Sequence, residues 1–509
     1  MESPSISKTV LKSLRKICGH DGVSLKENHR IAYSRDSSTP SLIEIREGHV
    51  THPPDVVVWP RSTEEVSQAL RLASEERMPL VPYGAGSGVC GGAVPVRAGI
   101  VLDLKKMDRI IAIDSDHLRV TAQPGIIGEI LERRLKEGGL TLGHFPSSIY
   151  TATLGGYLAC RSAGQLSTKY GKIEDMVRAL KVCLADGQVL RLDGEGAFDL
   201  RELFVGSEGT LGVMTEATLA VHPQPEAQKY FGFRFAGLKQ GLKAIRRLLQ
   251  QGLKPAVVRL YDPLATVMSF SKGDHSSPFL EKLLASLPDS FRRRLSHFKT
   301  DSFRFLLSQA AVLNRLIELS LFRSLLILGF EGPSWKVAAE CREALAILKE
   351  EGAENLGEEV GLDWLRRRYS VSYKMSPIMD QGCFADTMEV AAPWSRLTDL
   401  YRGIRSALRD DALVMGHFSH AYPDGCSIYF TFAGYRASEE GSLKLHRKIW
   451  DEGLKACLEH GGTISHHHGI GYLKADAFRE ELGPLHDWFR KVKGVLDPSG
   501  ILNPGKMGL

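Results

Sequence analysis

The stretch Leu80-Val81-Pro82-Tyr83-Gly84-Ala85-Gly86-Ser87-Gly88 constrains this chain most, because three alternating glycines close an apolar strand and no helix pattern follows them. The chain runs instead through Val89-Cys90-Gly91-Gly92 into Gly99-Ile100-Val101-Leu102-Asp103-Leu104, which reads as another strand. The dinucleotide-binding strand-turn-helix needs a helix N-terminus directly behind its glycines, so that motif is excluded. Two readings stay open. The loop is a plain tight turn, or it is a nest whose successive N–H groups converge on a pyrophosphate, with glycine required because side chains would block the approach.

The surroundings supply context. Val56-Val57-Val58-Trp59 reads as a buried strand, and Ser62-Thr63-Glu64-Glu65 as a capping box for a helix with Val66, Ala69, Leu70 and Ala73 inward. Before them, residues 1–50 hold a short basic amphipathic helix, Val10-Leu11-Lys12-Ser13-Leu14-Arg15-Lys16-Ile17, and polar irregular chain, an expected peripheral arm. After them come further small-residue loops: Pro124-Gly125, Pro146-Ser147-Ser148-Ile149, Ala152-Thr153-Leu154-Gly155-Gly156, Arg161-Ser162-Ala163-Gly164 and Gly206-Ser207-Glu208-Gly209-Thr210-Leu211-Gly212. So many loops of this kind in one domain point to a large planar ligand held edge-on by backbone.

Composition narrows the class. A chain of 509 residues has room for two or three domains, and 43% hydrophobic with 25% charged residues excludes a disordered or fibrous protein. A net charge of +5 is too mild for a dedicated nucleic-acid binder. The eight cysteines are scattered without a C-x-x-C pair, which fits a reducing compartment. With no secretory signal pattern and no uninterrupted apolar run of about 18 residues, a cytoplasmic protein, soluble or peripheral at a membrane, is expected. Between residues 291 and 322, Arg292, Arg293, Arg294, Lys299, Arg304 and Arg315 alternate with Phe298, Phe303, Phe305, Leu306, Leu313 and Leu316. This is either a helix at a lipid surface or a solvated helix covering a core.

From residue 228 the pattern becomes strand, helix, strand. In Ala256-Val257-Val258-Arg259-Leu260-Tyr261, Arg259 shares a face with Val257 and Tyr261, as a strand-end ion pair or as an anchor for an anion. Farther on, Cys426-Ser427-Ile428-Tyr429-Phe430-Thr431-Phe432 alternates, with Ile428, Phe430 and Phe432 on one face and Ser427, Tyr429 and Thr431 on the other. Tyr429 is a half-exposed strand tyrosine or a site-lining phenol. Near the C-terminus, Ser465-His466-His467-His468-Gly469-Ile470-Gly471 is an exposed loop or a set of proton-transfer groups with glycines allowing close approach.

Four motifs together carry a family resemblance: the first glycine loop, Thr153-Leu154-Gly155-Gly156, Ser207-Glu208-Gly209-Thr210-Leu211-Gly212, and Leu496-Asp497-Pro498-Ser499-Gly500-Ile501-Leu502-Asn503-Pro504-Gly505-Lys506. Over roughly residues 50–509 the chain resembles the vanillyl-alcohol-oxidase type of FAD enzyme. That implies an α+β chain with a two-subdomain FAD-binding fold and an inserted α/β substrate-capping domain. The expected division is an arm at 1–50, the FAD domain at 51–222, the cap at 223–484 and a return to the FAD domain at 485–509.

The resemblance implies that Pro82, Tyr83, Gly84, Ala85, Gly86, Ser87 and Gly88 hold the pyrophosphate. Ser147, Ser148, Ile149, Tyr150, Thr151, Ala152 and Thr153, with Arg161, Ser162, Ala163, Gly164, Gln165 and Leu166, would follow the flavin and its ribityl chain. Glu208, Gly209, Thr210, Leu211, Gly212, Val213 and Met214 would close over the adenine side. FAD is expected without a covalent link, Cys160 being the nucleophile to check.

Tyr429 on an Ile-Tyr-Phe strand, the Ser-His-His-His-Gly run and Arg259 narrow the resemblance to the alkyldihydroxyacetonephosphate synthases. These exchange the acyl group of acyl-dihydroxyacetone phosphate for a fatty alcohol with no net oxidation. Tyr429 would be the base, His466, His467 and His468 would transfer protons and bind substrate oxygens, and Arg259 would order the flavin side. The chain departs from that pattern at Met375, beside Lys374, where an arginine pairs with the acyl carboxylate. Lys374 is then the remaining cation, without the bidentate fork of arginine. Ser147 stands where an acidic residue is common. The rival resemblance is to FAD-dependent D-2-hydroxyacid dehydrogenases of the D-lactate or glycolate kind, whose metal is held by His-x-x-Asp-Gly-Asn-x-His and Glu-His-Gly. Here Gly416-His417 and Asp424-Gly425 match part of it, but Tyr429 and His467 replace two ligands, so no metal is expected. Lipid substrates are the expected partners, with membrane contact through 291–322, no nucleic acid, and a homodimer left open.

Overall fold

A computed structural model of the chain describes residues 4–194, 199–270, 304, 307–318, 323–370 and 376–509. They form two compact units, residues 1–224 with 465–509, and residues 225–464.

In the first unit the strands are, in chain order, β1 (Val23–Ser24), β2 (Val56–Val58), β3 (Leu80–Tyr83), β4 (Ile100–Asp103), β5 (Ile110–Asp114), β6 (Arg119–Ala122), β7 (Leu140–Thr141), β8 (Val177–Cys183), β9 (Val189–Leu192), β10 (Val213–Ala220) and β11 (His222–Pro223). One sheet has the order β1-β2-β4-β3, with β2, β4 and β3 parallel. A second, antiparallel, has the order β5-β6-β10-β8-β9, and β7 pairs with β11. The glycine loop leaves β3 and reaches β4 with no intervening helix, as its residues predict. Ser62 caps the helix Thr63–Glu75 by accepting from the Glu65 amide, and Val66, Ala69, Leu70 and Ala73 are its buried residues.

Two segments lie elsewhere than the residue pattern suggests. In the helix Lys8–Cys18, Val10, Leu14 and Cys18 are buried in one cluster with Val56, Val58, Leu70, Leu80 and Ile100. The segment read as a peripheral arm is therefore core. The helix is basic on its outer face, but its i, i+4, i+8 stripe is apolar and faces the sheet. The return to the first unit begins at Ser465, ahead of the expected 485. The Leu80 amide donates to the Ile501 carbonyl and the Asn503 amide to the Leu80 carbonyl, so the returning chain lies along β3.

The second unit is one antiparallel sheet: β12 (Ala227–Phe235), β13 (Val257–Tyr261), β14 (Ser324–Gly332), β15 (Glu354–Gly357), β16 (Phe384–Pro393), β17 (Leu413–Ala421) and β18 (Gly425–Gly434), in the order β15-β12-β14-β13-β17-β18-β16. Helices cover the face carrying Leu260, Phe418, Phe430 and Phe432. Gly241 of the helix Leu238–Gln250 lies on Leu260, Tyr401 of Leu397–Leu408 lies against Phe418 and Phe430, and Trp450 of Glu439–Glu459 lies against Phe432. With the apolar face packed this way, the opposite face is free to carry polar side chains.

Of the basic stretch 291–322, only 304 and 307–318 are described. There Leu307 and Leu313 are buried, and Asn314 Nδ2 donates to the carbonyls of Arg409 and Ala412. The rest of the stretch, and the expected membrane contact with it, lies outside the described residues. Among the described residues no helix is long and apolar enough to cross a membrane.

Leu14→Ala tests the placement of the N-terminal helix. A fully buried leucine there costs about 2–5 kcal/mol on truncation, whereas a leucine on a peripheral arm costs less than about 0.5 kcal/mol; denaturant melts of the two proteins distinguish them.

Candidate functional site

In the first unit, the glycine loop is held by its carbonyls. Lys105 Nζ donates to Gly84 O at 2.7 Å, the Ser37 hydroxyl to Gly86 O at 3.0 Å, and the Ser37 amide to Gly88 O at 2.9 Å. Within a trans peptide the N–H points opposite to the C=O, so the amides of Ala85, Ser87 and Val89 all face away from these anchors. Each of these amides points away from the group that anchors its own peptide, and backbone N–H groups turned outward from a glycine-rich turn are what an anion requires. Gly86 has φ +63°, and a Cβ there would collide with the Tyr83 hydroxyl; a Cβ on Gly84 would collide with Thr153 Oγ1. Lys105 also pairs with Asp103 at 2.9 Å and lies 5.1 Å from the ring centroids of both Tyr33 and Tyr83.

The second loop approaches the first through Thr153, whose hydroxyl accepts from the Gly156 amide at the start of the helix Leu154–Cys160. Ile149, Ala152 and Thr153 are buried, while Ser147, Tyr150 and Thr151 are exposed. Gln165 Nε2 donates to Ser147 Oγ, and Ser162 Oγ pairs with His144 Nε2 at 3.0 Å. Burial pushes His144 down to about 3, so its imidazole is neutral. Ala163 and Leu166 are buried, and Arg161 pairs with Glu174. Burial, with Glu208 and Asp36 nearby, pushes the Cys160 thiol up and so disfavours its thiolate.

In the third loop, the Glu208 carboxylate accepts from the amides of Ile470 and Gly471, the latter at 2.8 Å. Gly209 packs on Pro82, and Thr210 donates to Ser207 O. Leu211, Val213 and Met214 are core side chains and Gly212 lies against Val182, so from Leu211 onward only backbone is available to a ligand.

The three histidines stand just before the amides that Glu208 holds. His466 Nδ1 and His467 Nδ1 are 3.1 Å apart, so one donates to the other. The His467 and His468 rings meet edge to face at 4.6 Å, and Ser465 Oγ donates to Gly469 O. All three rings are half-buried, which removes the exposed-loop reading.

In the second unit, the strand register brings Tyr429 together with residues far away in the chain. Tyr261 pairs with His417, His417 with Tyr429, and Tyr429 with Glu389; in the next row Arg259 pairs with Ser419 and Ser419 with Ser427. All of these share the face opposite the helices. Arg259 Nη2 lies 2.6 Å from His417 Nε2, and the His417 and Tyr429 rings stack at 4.7 Å and 24°. Arg259 Nε and Ser427 Oγ are buried without a hydrogen-bond partner. Burial holds the Tyr429 phenol above its ordinary value, and Asp386 and Glu389 add to this; Thr387 and Arg259 pull the other way. Behind His417, Asp262 Oδ2 accepts from the Gly416 amide at 2.6 Å and from the Tyr401 hydroxyl at 2.9 Å. Lys374 and Met375 lie outside the described residues. His417, Ser427, Asp262 and Lys105 were not assigned these places from sequence, since nothing local marks a partner on another strand.

Residues 54–193 match the FAD binding domain family, and residues 224–507 match the FAD linked oxidases, C-terminal domain. Alkyldihydroxyacetonephosphate synthase of Trypanosoma brucei brucei is 28% identical over 522 residues, covering 99% of this chain and 81% of that protein. The glycolate oxidase subunit GlcD of Bacillus subtilis is 28% identical over 514 residues, covering 99% and 97%. A solved alkyldihydroxyacetonephosphate synthase superposes with a TM-score of 0.77 at 27% identity, covering 99% of this chain and 86% of its own. p-Cresol methylhydroxylase shares the fold at 15% identity, with a TM-score of 0.73 and coverages of 100% and 98%.

These matches bring FAD as the cofactor, and the glycine loop, with its carbonyls held and Gly86 at φ +63°, is a backbone turn chemically suited to a phosphate. Lys105→Met releases the Gly84 carbonyl. Losing that charge-assisted hydrogen bond weakens FAD binding by roughly tenfold, about 1.5 kcal/mol, measurable by titrating apoprotein with FAD and following flavin fluorescence.

Proposed function

Because this chain belongs to the FAD-linked oxidases, we propose that it is a flavoenzyme of the alkyldihydroxyacetonephosphate synthase kind, exchanging the acyl group of acyl-dihydroxyacetone phosphate for a fatty alcohol. The observation that carries this reading is the row Arg259, His417, Tyr429. A hydroxyacid dehydrogenase of the metal-dependent kind would place two metal ligands at His417 and Tyr429. Here His417 Nε2 accepts from a guanidinium and its neighbour is a phenol, a pair that does not fit a metal.

FAD, when bound, would supply a ring able to share electrons with the reacting carbon as a carboxylate leaves and an alcohol adds, with no net oxidation. The chain's own residues handle protons and oxygens. Tyr429 takes the proton from the carbon that exchanges its substituent, and its raised proton affinity lets it return that proton afterwards. His466, His467 and His468 carry protons and bind substrate oxygens. Arg259 Nε–H and the Ser427 hydroxyl are unengaged donors suited to an oxygen-rich substrate such as a phosphoester. Lys374 is assigned to the acyl carboxylate in place of an arginine.

The test is anaerobic. Purified FAD-loaded protein is mixed with acyl-dihydroxyacetone phosphate and radiolabelled fatty alcohol, and separately with D-2-hydroxyacids. Label passing into an ether product with release of fatty acid is expected, and Tyr429→Phe should lower the rate by about 10²–10⁴-fold, the worth of a general base. Full bleaching of the flavin by a hydroxyacid, without label transfer, would assign the chain to the dehydrogenases instead.

A further inference from the structure

The geometry points to His417 as the positioning residue of this site: its imidazole anchors the Arg259 guanidinium beside the Tyr429 ring and so sets how readily the phenol gives up its proton. This rests on the reading of Tyr429 as the proton-transfer group.

Arg259 lies on β13 among buried apolar neighbours, and among the described residues no carboxylate pairs with it. Its one side-chain acceptor there is His417 Nε2 at 2.6 Å, while Nε has none. A guanidinium only donates, so Nε2 must be the accepting nitrogen, and the ring is neutral with its proton on Nδ1. The imidazole therefore contributes no charge of its own. It fixes in place a charge that would otherwise lack an anchor.

The anchor is itself held on three sides. Tyr429 stacks on one face of the imidazole at 4.7 Å, and Tyr261 lies tilted at 5.7 Å, with the Arg259 guanidinium 5.6 Å from the Tyr261 ring centroid. Behind the strand, the fully buried Asp262 grips the Gly416 amide. The groups that shift the Tyr429 phenol act in opposite senses. From β13, Arg259 favours the phenolate; from β17, His417, accepting from Arg259, adds no charge; from β16, Glu389 and, on the opposite face, Asp386 disfavour it, and Thr387 hydrogen-bonds to it. Arg259 is the cation among these groups, so the position of its guanidinium is what a change at His417 alters.

The sign follows. If the phenolate is the base, activity falls as pH drops through the Tyr429 midpoint. Loosening Arg259 raises that midpoint and moves the acid limb to higher pH. In full-length FAD-loaded protein with ¹³C-labelled tyrosine, assigned through Tyr429→Phe, His417→Leu should raise the Tyr429 midpoint by about one pH unit. The acid limb of kcat should move equally, a roughly tenfold loss below the midpoint, with KM little changed. His417→Gln retains an acceptor for Arg259 and should restore most of the shift. If His417→Leu does not fold, Arg259→Met provides the comparison. Arg259→Met alone should raise the midpoint, and adding His417→Phe, which removes the acceptor and on its own should raise the midpoint as His417→Leu does, should raise it no further. Equal midpoints in wild type and His417→Leu, a His417→Gln variant no better than His417→Leu, or additive shifts in the Arg259→Met pair would each overturn the proposal. The tyrosine midpoint is read without turnover, so absence of alkyl transfer would count against the proposed function and leave this test intact.

Discussion

The Glu208 carboxylate, accepting from the amides of Ile470 and Gly471, is the interaction on which the first unit depends. It joins the loop that leads into β10 to a segment made more than two hundred residues later. Gly92 and Gly469 leave the space for that carboxylate; a Cβ on either would crowd it. From the same place Asn503 Nδ2 donates to the carbonyls of Gly92 and Glu208, and Lys506 Nζ to Val94 O. Burial pushes the Glu208 carboxyl up, and the two amides, Lys506 and Lys474 pull it back. A buried carboxylate is tolerated only with such partners. The far end of the glycine loop and the end of the histidine loop are thereby fixed to one another.

The second unit answers a different constraint. A sheet needs one face packed to be stable, and the row of phenylalanines against the helices meets that need. The other face can then carry Arg259, His417, Ser427, Tyr429 and Glu389 side by side, a density of polar groups that a two-sided core would not accept.

What could be read from sequence follows from range. The alternation over residues 426–432 told that Ile428, Phe430 and Phe432 are inward, and all three are fully buried. Ser62 and Glu65 meet within one helical turn, and the glycine loop declares itself because no helix pattern follows it. Partners on other strands leave no such trace. Arg259 fits neither sequence reading fully: it is no strand-end ion pair, because its acceptor is an imidazole 158 positions away. The helix Lys8–Cys18 showed its apolar stripe plainly, but its many cations suggested periphery, and only the cluster with Val56 and Ile100 makes it core. The boundary at Ser465 was hidden for the same reason, since it is set by Glu208 and by contacts with Cys90, none of them local.

The path of the chain through the sheet of β1 to β4 has a consequence for synthesis. Residues 465–509 border β3 and contribute Ile501 and Leu502 to its core, yet residues 225–464 are translated in between. At about 5–20 residues per second, that interval lasts on the order of tens of seconds. Throughout it the apolar sheet around Leu80 waits with an open edge, while the second unit, continuous in sequence, is free to fold. The nascent chain thus inverts the order of its own domains: the part begun first is finished last, and its glycine-rich loops are held in place only when residues 465–509 have left the ribosome.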